Sequence, residues 1–144
     1  MTAAWRRLLL IAALAAAAIS GTALGQAPAG KVVLYTSQPQ REAAQPVGAF
    51  KKAYPGVDVE VFRSGTTEVM GKLAAEFAGG ASKADVLLLA DAATMELLKK
   101  DGRLLAYPNV NLTGLDPASY DRDKTYFGSK LITTGIAVNT ARKS

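Results

Sequence analysis

The sequence predicts an α/β fold: a mostly parallel sheet with helices on both faces. Short runs of β-branched and aromatic residues alternate with segments whose apolar residues recur at helical spacing, the element order of parallel sheets. Val86-Leu87-Leu88-Leu89 is apolar without alternation, the pattern of a strand covered on both faces. Strand-like runs also end in Ser, Thr, Gly or Asp just before a helical stripe begins.

The first segment, Met1–Gly25, reads as a secretory signal. Arg6 and Arg7 supply the positive start, Leu8–Ile19 the apolar stretch, and Ala23-Leu24-Gly25 the small residues of a cleavage site. The 12 apolar residues of Leu8–Ile19 fall short of the ~20 that span a bilayer, which disfavours a membrane anchor. The arginine pair weakly resembles a twin-arginine signal. Gln26–Gly30 is a short Pro/Gly/Ala leader to the fold.

Lys31–Thr36 (KVVLYT) is the first expected strand. Ser37, Pro39 and Gln40 then form a helix start in which Ser37 can cap and Gln40 can reach back. Ala43, Val47, Phe50 and Tyr54 lie on one helix face, closed by Pro55-Gly56. Pro46 removes the hydrogen bond to Glu42, so a kink, or a helix beginning nearer Pro46, is expected. Val57–Phe62 (VDVEVF) alternates and reads as a strand with one wetter face, near the sheet edge.

The central unit is Phe62–Glu96. Val69, Met70, Leu73 and Phe77 form one helical stripe, Gly79-Gly80 breaks it, and Val86–Leu89 follows as a strand. A strand, helix and strand of these lengths make a βαβ unit with parallel strands and a right-handed crossover. A further helix starts at Asp91, runs through Met95, Leu97 and Leu98, carries Lys99-Lys100 in its last turn and stops at Asp101-Gly102. Leu104–Pro108 is a short extended piece, and Asn109–Lys130 is rich in Asn, Asp, Pro, Gly and Ser, as in a turn-filled surface segment. Leu131–Asn139 (LITTGIAVN) is strand-like, with Gly135 at a bend.

Composition excludes several chemistries. The chain has no cysteine and no histidine, so disulfide scaffolding, Ser-His-Asp catalysis and histidine zinc sites are absent from it. Loss of Arg6 and Arg7 with the signal takes 17 basic residues to 15 against 12 acidic, a net +3 scattered without basic runs. That is no nucleic-acid footprint. No paired carboxylates, nucleophile elbow or phosphate-cradling loop appears either, SGTTEVMGK lacking the required spacing.

Three turns carry the candidate binding residues: Thr36-Ser37-Gln38, Ser64-Gly65-Thr66-Thr67 and Ala90-Asp91-Ala92. Each sets short polar side chains beside helix N-terminal amides, which suit an anion or an oxygen-rich ligand. Gly65 would let a ligand approach the backbone closely. Such residues are also the preferred helix caps, so each turn alone has a purely structural reading. A shared position at the carboxyl ends of parallel strands is what joins them into a site. Asp91 is also a candidate oxygen ligand for a hard cation, though one carboxylate cannot hold such an ion. Tyr35, Tyr126 and Phe127 are candidate cleft walls, with core packing the commoner role of such residues.

KVVLYTSQ, FRSGTTEVMGKLAAEF, ADVLLLADAATM, LLAYP and YFGSKLITTGIAVNT, in this order, closely resemble bacterial extracellular solute-binding proteins of ABC importers, in the branch labelled ferric-iron binding. The resemblance covers nearly all of residues 31–140 and implies a periplasmic, two-lobed protein that closes on its ligand about a hinge of crossing strands. Residues 26–130 then correspond to the N-terminal lobe, and residues 131–144 to a hinge strand leading to a second lobe missing from this chain. The resemblance implies a non-enzymatic, monomeric protein without a resident cofactor, not membrane-spanning once the signal is removed, that serves a permease and its ATPase. Fe(III), with Asp91 matching the acidic position of ferric-binding relatives, or a small anion such as a phosphorylated compound, is the implied cargo. An exported enzyme domain with its catalytic groups in the other half, or a ligand-sensing module, is the alternative.

Overall fold

The computed structural model describes residues 27–142 apart from Thr134 and Ala137, and the signal expected over Met1–Gly25 lies outside the described residues. Three strands, β1 (Gly30–Thr36), β2 (Val57–Arg63) and β3 (Val86–Leu88), form a sheet in the order β2-β1-β3. Both pairings are parallel, with Thr36 opposite Arg63 on one side and Leu88 on the other. Helices α1 (Gln40–Ala53), α2 (Thr66–Ala78) and α3 (Ala92–Lys100) each follow a strand.

The chain steps from β1 outward to β2, then back across β1 to β3. Right-handed connections made in opposite directions put α1 and α2 on opposite faces of the sheet. The side chains divide accordingly. Tyr35, Val69 and Leu73 are buried together, with Val33, Phe62, Phe77 and Leu87 packed around them. Leu34, one residue out of phase with Tyr35, points to the other face, and the buried Ala43 of α1 and Val57 of β2 also stand apart from that cluster. The expected parallel α/β sheet with helices on both faces is therefore present, with β2 at the edge as its alternation implied.

Several local expectations need correction. β2 and β3 are parallel but not neighbours, because β1 lies between them. The apolar run Val86–Leu89 is not covered on both faces: β3 borders β1 alone among the described residues, and Val86 is 48% exposed. Ser37 does not cap α1, whose N-cap is Pro39 without a side-chain hydrogen bond. Pro46 neither ends nor delays that helix, which runs unbroken from Gln40. Pro46 sits on its exposed side, where solvent can take up the carbonyl that its ring leaves free. Tyr35 belongs to the core, not to a cleft wall. No strand forms among the described residues of Leu131–Asn139; Leu131 and Ile136 are about nine-tenths exposed and have no partner strand to complete a ladder. Leu104–Pro108 likewise joins no sheet.

The segment expected as plain surface turns holds a small ordered unit. Tyr120 and Phe127 pair across an antiparallel bridge, and Asp121 N–H donates to the Tyr126 carbonyl at 3.1 Å. At the end of α3, Asp101-Gly102 stops the helix as expected, Gly102 adopting φ +66° and Arg103 N–H returning to the Leu98 carbonyl.

Candidate functional site

The parallel register brings the ends of β1, β2 and β3 to one rim, and Thr36 ties them together. Its carbonyl accepts from Ser64 N–H at 3.2 Å. Its Oγ1 donates to the Leu88 carbonyl at 2.8 Å and accepts from Gln38 N–H at 3.1 Å. Ser37 N–H reaches the same Leu88 carbonyl at 3.1 Å. Thr36 is fully buried, so each of these bonds is made out of water and holds the following turns in place.

Between the turns after β1 and β3 opens a cleft of about 880 Å³. Gln38, Leu87–Ala92 and Met95 of α3 line it together with Ser119, Tyr120, Tyr126 and Phe127. In a 2-1-3 strand order the crevice between β1 and β3 is the switch point where open α/β sheets take ligands. A more open hollow along α3 is lined by Ala93, Glu96, Leu97, Lys99 and Lys100 and lies away from the strand ends. The chemistry is at the strand ends.

The predicted residues divide between two places. Gln38 and Asp91 both line the cleft. Gln38 is only 5% exposed, and among the described residues its side-chain amide makes no hydrogen bond. Asp91 is exposed, and its Oδ1 caps α3 by accepting from Thr94 N–H at 2.7 Å. Ser37 turns inward, its hydroxyl buried without a partner among the described residues. Ser64, Gly65, Thr66 and Thr67 share the rim but lie beyond β1, outside the cleft lining. Gly65 is the N-cap of α2, and the Glu68 carboxylate folds back over it where a Cβ would otherwise stand. The helix dipole favours that carboxylate, which occupies the approach a ligand would need.

The segment that carries Tyr126 and Phe127 is anchored by an ion pair that sequence reasoning did not find. Lys99 Nζ lies 2.6 Å from Asp121 Oδ1 and 2.7 Å from Asp123 Oδ2. Asp121 is buried and also accepts from Thr125 Oγ1 at 2.6 Å. Lys99, then Thr125, hold its carboxyl well below the usual carboxylate range, while Asp121 and Asp123 push the Lys99 ammonium up. Tyr126 O–H donates to Glu96 of α3, and this bond, with burial second, pushes the phenol up to about 12. The wall bearing Tyr126 and Phe127 is thus fastened to α3. The only advance signal was the density of Asp and Thr over residues 121–125; their long-range partner Lys99 was invisible. Arg63 was missed as well: at the end of β2, its Nε donates to the Gln38 carbonyl at 3.2 Å.

Residues 36–142 match the family model of the bacterial extracellular solute-binding proteins. The chain belongs to that family. A search among curated proteins gives no significant match. The matched span begins at Thr36, the residue that ties the strand ends, and takes in all three turns and the whole cleft. Proteins of this family are typically non-enzymatic. Among the described residues no helix is long and apolar enough to cross a membrane, and no group of three or more carboxylates is gathered to hold a metal ion.

Proposed function

We propose that the chain is the solute-capturing component of an ABC importer, exported to the periplasm by a signal over Met1–Gly25. One observation carries this reading: a cleft lies at the β1/β3 switch point and is lined by residues of two of the three predicted turns. The ligand is gripped by Gln38 and Asp91 at the strand ends and by Tyr126 and Phe127, and closure of a two-lobed protein then presents it to the permease and its ATPase. Against the Fe(III) raised by the resemblance, the rim supports a small oxygen-rich molecule. The cleft carboxylates Asp91 and Asp116 each commit one oxygen to capping a turn, and a ferric ion would draw its other donors from outside the described residues. Equilibrium dialysis with candidate solutes tests the proposal. The solute is expected to be retained and recovered chemically unchanged, and Gln38→Ala with Asp91→Ala to abolish retention. Conversion of the solute, or retention indifferent to both substitutions, would end it.

A further inference from the structure

We infer that the cleft is built for an organic solute carrying a hydrogen-bond donor and acceptor side by side on one edge and a flat apolar face on the other. This rests on the reading of the cleft as the capture site and specifies what it captures. The first observation is Gln38. Its side chain is buried, borders the cleft and makes no hydrogen bond among the described residues. An amide presents one oxygen acceptor and an N–H₂ donor together, so its complement is a matching pair, as on an amide, a carboxyl or a hydroxyl-bearing edge. A ligand supplying both partners engages the two amide atoms at once.

The second observation is the apolar part of the lining. Tyr126 and Phe127 border the same cleft, with Met95 and Leu115 beside them in the lining. The Tyr126 hydroxyl is already taken by Glu96, so what it offers a ligand is its ring. Aromatic rings recognise flat apolar faces. The third observation is size. About 880 Å³ lies within the range that surrounds a whole organic molecule, whereas a hard metal ion needs oxygen ligands drawn in to about 2–2.5 Å. Asp91 then adds an acceptor at the rim for a further donor of the solute, and its charge disfavours a bare anion in the same place.

Saturation-transfer NMR on the full chain tests the inference, with benzamide as the minimal probe because it joins a flat ring to one amide edge. Inorganic phosphate and ferric citrate form separate arms. Benzamide is expected to bind, and Gln38→Met and Tyr126→Leu each to weaken it by about tenfold or more. Gln38→Met keeps the volume and removes the donor–acceptor pair; an unchanged melting temperature separates loss of contact from loss of fold. Should that variant melt early, Gln38→Glu keeps the shape, removes the donor and is expected to weaken binding equally. Benzamide binding indifferent to Gln38, or binding of phosphate or ferric citrate alone in the cleft, overturns the inference while the capture role stands. Failure of all three probes to bind in the cleft overturns both.

Discussion

Replacing Leu73 by alanine probes the packing on which the position of β1, and therefore of the cleft, depends. Leu73 is 1% exposed and packs with Val69 and Tyr35, the residue that precedes the rim-tying Thr36. The substitution removes three carbons, at about 0.8 kcal/mol each for lost burial. The space left behind adds about 1 kcal/mol, since α2 cannot collapse fully onto the sheet. The sum is about 3 kcal/mol, or a fall of about 10 °C in melting temperature for a domain of this size. Urea unfolding followed by circular dichroism measures it, with Leu97→Ala as the control. Leu97 lies on α3 and is 53% exposed, so its truncation is expected to cost no more than about 0.5 kcal/mol. Equal costs at the two positions, or less than about 1 kcal/mol at Leu73, would refute this account of the core.

Two further outcomes follow from the ion-pair chemistry. Hydrogen bonds from Tyr35, then Lys72, and from the Lys83 N–H hold the Glu76 carboxyl down at about 2, against an ordinary 4.5. A depressed acid contributes stability that is fully present above its unfolded value and is lost as pH falls from there towards 2. Urea midpoints measured across that interval should therefore decline more steeply in the native chain than in Glu76→Gln, and parallel declines would count against the network. Tyr126 behaves in the opposite sense: its phenol, raised to about 12 from an ordinary 10 by Glu96 and burial, gives stability below pH 10 that disappears as pH climbs towards 12. Ultraviolet titration of tyrosinate should show late-ionising tyrosines, buried Tyr35 among them, of which Tyr126 alone moves back towards 10 in Glu96→Gln; superimposable titrations would show that the Tyr120–Phe127 unit is not fastened to α3.

Much of the framework was legible because it is written in local periodicity. The Val69–Phe77 stripe, the Asp91 cap and the Asp101-Gly102 stop each depend on residues within a turn or two of each other. What misled the reading were features whose meaning depends on distant partners. Ser37 looked like a cap, but the helix begins after Pro39. Leu131–Asn139 had strand composition, yet composition cannot supply a neighbouring strand.

By itself the sequence determined the class of fold, the polar turns at the strand ends and the exclusion of cysteine and histidine chemistry, since these follow from residue type and short-range spacing. Only the tertiary structure decided which turns share a cleft. Strand order sets β3 beside β1 and sends β2 to the far side, so Gln38 and Asp91 line one cleft while Ser64–Thr67 stand apart. Only the folded chain could bring Lys99 to Asp121 across 22 residues and so raise the Tyr126–Phe127 wall, because that contact is a product of packing rather than of pattern.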